Sequence, residues 1–167
     1  YLDSNKLKGY RDWDPEKEDY YEWYNQGRKP NNPEGRAHYL GQLHYLDKEV
    51  GRLIDFLENK KELKNTIIIY IGDNGGSTQI YADNTPHKGG KYTMYEGGLR
   101  VPLIISWKGQ YEKNIIANNL VSAMDVLPTI CDAVEISPPK TLDGFSLQPI
   151  LKKENTDLEH QALYWWG

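Results

Sequence analysis

The chain is poor in cysteine, lacks a long apolar run and carries little excess charge. A single cysteine, Cys131, among 167 residues excludes an internal disulfide. It lies in an apolar-periodic segment with Ile130 and Val134, so we interpret it as a small core residue. No apolar run approaches the roughly 20 residues that span a membrane. A net charge of −4 gives no electrostatic reason to expect nucleic-acid binding.

Two apolar runs and one long amphipathic segment predict an α/β protein. Residues 66–71 and 101–107 are short, β-branched and apolar on both faces, which is typical of buried parallel strands. Residues 33 to about 60 carry apolar side chains at spacings of three and four, which predicts a helix with Asn32 as its N-cap. A second helix is predicted at residues 125–134. We expect the two strands to be parallel neighbours in one sheet, packed by the long helix.

Oxygen-bearing side chains follow the first apolar run directly. Asp73 and Asn74 precede two glycines at the carboxyl end of the predicted strand, where α/β sheets present ligands. Taken alone, this Asp-Asn-Gly-Gly sequence is more typical of a turn than of a ligand site. Residues 88–102 then form a glycine-rich segment with two lysines, a glutamate and an arginine. Carboxylate and amide oxygens suit a hard cation and lysines suit a tetrahedral anion, so we expect Asp73, Asn74 and Lys91 to converge.

These two segments resemble the sulfatase family, in which a strand ends in Asp-Asn-Gly and a Gly-Lys-x-x-x-Tyr-Glu-Gly-Gly-x-Arg-x-Pro segment follows. Further matches run in the family's order along most of the chain. They are the helix at 39–51, the Asp-x-x-Pro-Thr helix at 122–134, the Asp-Gly-x-Ser-Leu segment at 142–147, and 162–166, which resembles a strand opening a C-terminal subdomain.

The resemblance implies a role for each polar residue of the two segments. Asp73 and Asn74 would ligate a divalent cation, usually Ca²⁺, that polarises the sulfate ester. Lys91 matches the family's lysine that contacts the sulfate, both to bind substrate and to take part in catalysis. Lys88 is a second candidate for substrate binding.

The remaining charged residues of this region, and the other histidines, are assigned as follows. His87 is a candidate general acid in catalysis, although a pocket-edge residue is the simpler interpretation. Glu96 and Arg100 flank two glycines, and we interpret them as a structural clamp that holds the loop. The other histidines are assigned to packing or to the surface: His38, His44 and His160.

Two features that the family carries are missing. Sulfatases have an N-terminal Cys-or-Ser-x-Pro-x-Arg motif whose first residue becomes formylglycine, and early paired aspartates that complete the metal site. The resemblance therefore implies the C-terminal part of the catalytic domain, with a partial alkaline-phosphatase-like α/β fold, a mainly parallel sheet flanked by helices. We expect an aromatic-rich loop region at 1–32, the C-terminal half of the α/β domain at 33–158, and the start of the C-terminal subdomain at 159–167.

The expected activity is hydrolysis of a sulfate ester, with sulfated carbohydrates among the candidate substrates. The chain alone is expected to be inactive, because the formylglycine is expected in the missing N-terminal half. That half, or a second copy through self-association, is the expected protein partner. Neither nucleic acid nor a membrane span is expected, and the resemblance suggests a periplasmic or secreted location.

Two alternatives stay open. The first is a phosphodiesterase or phosphonate hydrolase of the same superfamily, because sulfate and phosphate esters are similar in shape and these residues do not separate them. The second is a non-catalytic calcium-binding or carbohydrate-binding module. It is favoured by the tyrosines and tryptophans of residues 1–32, which can stack on sugar rings, and by the absence of a nucleophile motif.

Overall fold

The computed structural model of the chain describes residues 16–17, 19, 34–77, 80–154, 157 and 160–165. These residues fall into two compact units. The loop unit holds the described residues of Tyr1–Lys61 and Gly72–Pro102, and the sheet unit holds those of Glu62–Ile71 and Leu103–Gly167. The predicted N-cap Asn32 and nearly all of the predicted aromatic-rich loop region lie outside the described residues.

Helix α1, Gly35–Asn59, is the main element of the loop unit and confirms the predicted long helix. It is anchored at its first turn, where Gly35 and His38 are buried. A Cβ at Gly35 would lie 2.1 Å from the ring of Tyr81, and Arg36 donates a hydrogen bond to the Tyr81 carbonyl. Most of its larger apolar side chains are exposed: Leu40, Leu43, Leu46, Leu53 and Phe56. The predicted packing of this helix on the two strands stays a prediction.

The sheet unit contains a two-stranded sheet of β1, Ile67–Ile71, and β2, Leu103–Trp107. The strands are neighbours, as predicted, but they are antiparallel, with Ile67 opposite Trp107 and Ile71 opposite Leu103. The predicted parallel orientation is therefore wrong for this pair. Apolar residues on both faces report burial and carry no information on strand direction.

The connection between the strands accounts for their antiparallel direction. Its first and last residues meet, because the Gly72 N–H donates to the Pro102 carbonyl at 3.1 Å. A chain that leaves β1 and returns beside the point of departure enters β2 in the opposite direction. Neither strand is covered on both faces by the described residues, since Tyr70, Ile71 and Ile104 are exposed.

Helix α3 in the sheet unit, Val126–Ala133, confirms the predicted second helix. It follows the 3₁₀ turn Ala123–Asp125, and the short helix α2, Glu96–Leu99, precedes β2 in the chain. Pro128 is accommodated in the first turn of α3, where its missing N–H has no helical partner to lose. Cys131 on α3 is half-buried and is not disulfide-bonded.

The core of the sheet unit is built around a buried carboxylate. Asp125 is fully buried and accepts hydrogen bonds from the Ser122 N–H at 2.7 Å and the Phe145 N–H at 3.0 Å. Its Oδ1 also lies 2.8 Å from Nε2 of His160, so this histidine, assigned to packing or surface, ties the end of the chain to α3. Buried Leu147 and Ile150 flank this centre at helix α4, Gln148–Leu151.

The end of the described chain departs from the prediction. Residues 160–165 adopt neither helix nor strand, so the strand expected at 162–166 is absent from its described part. A strand is defined by hydrogen bonds to a neighbouring strand, and these residues have no such pairing within the described part of the sheet unit. None of the helices in the described part of the chain has the length and apolar character needed to cross a membrane.

Candidate anion and metal site

The candidate cation ligands lie in a tight turn that follows β1 in the chain. Asp73 is exposed and Asn74 is half-buried. The Asn74 side-chain nitrogen donates to the Gly75 carbonyl at 2.8 Å, which fixes the orientation of the amide. This orientation leaves the Asn74 oxygen as the side-chain atom available to a cation, next in sequence to the Asp73 carboxylate.

Backbone hydrogen bonds attach this turn to the glycine-rich segment. The Gly75 N–H donates to the Gly98 carbonyl at 2.8 Å, and the Lys91 N–H donates to the Gly76 carbonyl at 3.2 Å. The structure therefore brings the backbone of Lys91 against a residue two positions after Asn74. Convergence of the three side chains on one ion and one anion stays a prediction.

Close approach of backbones explains the glycines in both segments. A Cβ on Gly75 would lie 1.7 Å from the Gly97 carbonyl oxygen, and a Cβ on Gly97 would lie 2.5 Å from the Gly89 carbonyl oxygen. Both atoms belong to the backbone, which cannot rotate away as a side chain can. A residue larger than glycine at position 75 would push the two segments apart, and one at position 97 would push apart two parts of the glycine-rich segment itself.

The two lysines differ in what their ammonium groups contact. Nζ of Lys88 lies 4.1 Å from the ring centre of Tyr95, a cation–π contact within the glycine-rich segment. Nζ of Lys91 lies 5.5 Å from the ring centre of Tyr92, close to the outer limit for such a contact. Both lysines are exposed. Lys91 is therefore the less engaged of the two, and its charge is the more accessible to an anion.

The predicted clamp residues form an exposed ion pair. Nη1 of Arg100 lies 3.5 Å from Oε2 of Glu96, and each side chain is 66% exposed. Pairs this exposed contribute about 0–1 kcal/mol. Other contacts therefore hold the loop, among them the backbone hydrogen bonds between the two segments.

His87, the candidate general acid, is half-buried. Its backbone N–H donates to the Asn84 carbonyl at 2.8 Å. This bond fixes the backbone of His87 without orienting the imidazole, so its role in catalysis stays a prediction.

Sequence reasoning missed two residues that build this loop. Asn84 makes three side-chain hydrogen bonds to Gly76 and Gly89. The Thr93 hydroxyl donates to the Gly90 carbonyl at 2.8 Å and accepts from the Gly90 N–H at 3.1 Å. The signal for Asn84 was its place before Thr85-Pro86, which is typical of a turn, but its long-range partners have no sequence signature.

A second turn precedes the glycine-rich segment. The Thr85 hydroxyl and the Thr85 N–H both donate to Oδ1 of Asp83. These two hydrogen bonds, the hydroxyl's first, lower the pKa of the exposed Asp83 carboxyl. Asp83 therefore stabilises its own turn through hydrogen bonds to Thr85.

The donor set is suited to a hard cation but is only part of a full set. Across the described residues, histidine, cysteine and acidic side chains nowhere gather in a group of three or more that could hold a metal ion. Asp73 and Asn74 offer a carboxylate and an amide oxygen, the donor types that Ca²⁺ prefers. Because Ca²⁺ takes about 6–8 oxygens, these residues fit the ion in kind and supply a fraction of its ligands.

Comparison with known proteins identifies the family. The model of the sulfatase family matches residues 5–136, most of the chain. The chain belongs to the sulfatase family. An uncharacterised sulfatase of Escherichia coli (strain K12) is 32% identical over 157 residues, which cover 90% of this chain and 26% of that protein. This sulfatase chain thus spans about a quarter of the length of its curated relative.

Solved structures agree with this assignment. The structure of Ps i-CgsB in complex with k-i-k-neocarrahexaose superposes with a TM-score of 0.69 at 29% identity, covering 77% of this chain and 30% of that one. BT4656 in complex with its substrate D-glucosamine-2-N,6-O-disulfate gives a TM-score of 0.51 at 34% identity, covering 70% of this chain and 22% of that one. The described chain is therefore α/β and is similar to part of the sulfatase structures, which have the alkaline-phosphatase-like fold.

Family membership has two general implications for the site. Sulfatases use a metal cation and a formylglycine, and the family's formylglycine motif is not in this sequence. Neither the geometry nor these relatives favours a phosphodiesterase, a phosphonate hydrolase or a non-catalytic module over a sulfatase.

Proposed function

We propose that the full-length protein hydrolyses a sulfate monoester with water, breaking the bond between sulfur and the bridging oxygen to give an alcohol, inorganic sulfate and a proton. The observation that carries this proposal is the attachment of the Lys91 backbone to the turn after Asp73 and Asn74. It places a lysine and two hard oxygen donors on adjoining segments. Family membership supplies the reaction class.

Each residue would act through a simple physical property. Asp73 and Asn74 would hold Ca²⁺ through their side-chain oxygens, and the ion when bound supplies a positive charge beside the sulfate oxygens. Lys91 would place a second, compact positive charge on the same anion. A fixed charge aimed at developing negative charge stabilises the transition state more than mobile water does. Lys88 would bind the substrate anion more weakly, because it already contacts Tyr95.

Sulfated carbohydrates are the substrate class that we propose. The support comes from two similar structures: BT4656 was solved with a disulfated glucosamine and Ps i-CgsB with an oligosaccharide. An exposed pair of lysines, Lys88 and Lys91, suits a substrate whose sulfate projects from a polar ring.

Release of inorganic sulfate tests the proposed function. We expect the purified full-length protein to release sulfate from p-nitrophenyl sulfate and from glucosamine 6-sulfate. Matched phosphate compounds, p-nitrophenyl phosphate and bis-p-nitrophenyl phosphate, serve as controls for the alternative within the superfamily. Faster turnover of either phosphate compound than of its sulfate counterpart would make this chain part of a phosphohydrolase.

Removing the Asp73 carboxylate should weaken calcium binding. Mutating a residue that only supports a metal ligand lowers metal affinity by about 10- to 100-fold. Asp73→Ala removes a ligand itself, so we expect it to lower the affinity for Ca²⁺ by at least about 100-fold. Calorimetric titration of the full-length protein with Ca²⁺ measures this directly. Asp143→Ala, at an exposed carboxylate in the sheet unit, is the matched control and should bind as the wild type does. Equal affinities in the two variants would remove Asp73 from the metal site.

We infer the remaining features from family membership alone. They are a formylglycine nucleophile in the full-length protein, a periplasmic or secreted location, and a mainly parallel sheet. Because β1 and β2 are antiparallel, such a sheet would need strands other than this pair.

A further inference from the structure

Asn84 links the two segments of the candidate site through a single half-buried side chain. Its oxygen accepts from the Gly76 N–H at 2.9 Å, and its nitrogen donates to the carbonyls of Gly76 at 2.8 Å and Gly89 at 3.0 Å. Gly76 lies two residues after Asn74, and Gly89 lies two residues before Lys91. One carboxamide therefore joins the segment with the cation ligands to the segment with the anion-binding lysine.

The chemistry of these bonds requires an amide. Gly76 presents one N–H and one carbonyl to Asn84, so its partner must accept and donate at once, and Gly89 needs a second donor. An asparagine side chain has an acceptor oxygen and two N–H donors, which satisfies all three bonds. An aspartate has the same shape, but when ionised it only accepts and would repel both carbonyls.

The glycine at position 76 fits this contact. A Cβ there would lie 2.4 Å from Cβ of Ala82 and 3.2 Å from Oδ1 of Asn84. The turn before Asn84 is thus packed against Gly76 closely enough to hold the amide in place. The Lys91 N–H donates to the same Gly76 carbonyl that accepts from Asn84, so this carbonyl is shared by the link and by the lysine.

We propose that Asn84 is a positioning residue: it sets the placement of Lys91 relative to Asp73 and Asn74. It does so through Gly76 and Gly89 and touches neither the sulfate nor the cation. The inference rests on the proposed sulfate-ester hydrolysis and adds a residue that acts through Lys91. Without the Asn84 amide, Asp73, Asn74 and Lys91 all remain in the protein, but Lys91 should be displaced relative to the other two.

The first test is kinetic and uses four forms of the full-length protein: wild type, Asn84→Asp, Lys91→Ala and the double variant. A displacement of about 1 Å costs on the order of 100-fold in rate, so Asn84→Asp should lower kcat/KM for p-nitrophenyl sulfate by about 100-fold. In the Lys91→Ala background it should cost less than about 3-fold, because the group that it positions is already gone. A residue that merely stabilised the fold would give the same factor in both backgrounds, and that result would overturn the proposal.

Asp83→Asn is the matched control. It replaces a carboxylate by an amide, the reverse of Asn84→Asp, at the adjacent residue. The Asp83 carboxylate is exposed and accepts hydrogen bonds from Thr85. We expect kcat/KM of this variant to stay within about 3-fold of the wild-type value. If Asp83→Asn lost as much activity as Asn84→Asp, any substitution in this turn would have the same effect, and the proposal would be overturned.

Amide hydrogen exchange supplies a readout that does not depend on activity. In Asn84→Asp, the two bonds that the Asn84 nitrogen donates to the Gly76 and Gly89 carbonyls are lost and the segments loosen. Exchange should therefore accelerate in peptides covering 75–77 and 89–92, while helix α1 keeps its wild-type protection. Unchanged exchange in both peptides would refute the link itself.

If the wild type hydrolyses no sulfate ester, the proposed function fails and this arm still decides whether Asn84 joins the segments. If Asn84→Asp does not fold, Asn84→Ser, which shortens the side chain without adding charge, takes its place in both arms.

Discussion

Replacing Lys91 by alanine in the full-length protein should lower kcat/KM for a sulfate ester by about 100- to 1000-fold, the effect of removing one preorganised group from a developing anion. The folded structure should persist, because the Lys91 side chain is exposed and the hydrogen bond from this residue to Gly76 is made by its backbone N–H. The N–H that donates to Gly76 remains in alanine. Steady-state kinetics with p-nitrophenyl sulfate, together with thermal unfolding, separates loss of charge from loss of fold.

Two further variants sharpen this result. Lys91→Arg keeps the positive charge but replaces a compact ammonium by a wide planar group, so we expect it to recover only part of the activity. Lys88→Ala removes a neighbouring charge that already contacts Tyr95, and we expect a loss of less than about 10-fold, since exposed charges contribute little. Equal losses for Lys88→Ala and Lys91→Ala would show that the segment acts by general charge. Wild-type turnover by Lys91→Ala would remove this lysine from the site.

The long helix and the candidate site segments could be read from the sequence because their signals are local. The helix has a periodic apolar pattern, and the structure places it at Gly35–Asn59. The site has Asp73 and Asn74 after a β-branched run, followed by a lysine among glycines. Each of these signals lies within a few residues of the feature that it predicts, so no knowledge of distant contacts was needed.

The features that were missed all depend on partners far along the chain. Strand direction is set by where the connection returns, and the hydrogen bond from Gly72 to Pro102 that closes it spans the whole glycine-rich segment. His160 was assigned to packing or the surface with no named partner, and its ring nitrogen lies 2.8 Å from the buried Asp125 carboxylate. Asn84 has a typical turn sequence that gives no hint of Gly76 and Gly89 as partners. A single sequence carries no record of which distant residues meet.

The glycines of the site are required for two different physical reasons. Glycine can be required by a positive φ or by close approach, and the sequence does not distinguish the two. Gly89 has a φ of +82°, which favours glycine through conformation. Gly75 and Gly97 are not among the glycines with positive φ, so for them close approach of backbones is the reason.

Gly75→Ala should therefore disrupt the candidate site strongly. The new Cβ would lie 1.7 Å from the Gly97 carbonyl oxygen, far inside contact distance, and neither partner can rotate away. The hydrogen bond from Gly75 to Gly98 would break as the segments separate. Relieving this overlap requires the two segments to separate by more than about 1 Å. We therefore expect kcat/KM in the full-length protein to fall by at least about 100-fold.

Gly51→Ala is the matched control, with an effect of the opposite sign on stability. Gly51 lies inside helix α1, and a Cβ there would meet nothing within 4 Å. Alanine in a helix interior is about 1 kcal/mol more favourable than glycine, so this variant should unfold at a higher temperature with unchanged kinetics. Thermal unfolding and sulfate-ester kinetics of the two variants form one experiment. An added methyl group should stabilise the helix at Gly51, where it meets open space, and disable the site at Gly75, where it meets the Gly97 backbone. Wild-type kinetics in Gly75→Ala would mean that the segments carrying Asn74 and Lys91 are apart in the working enzyme.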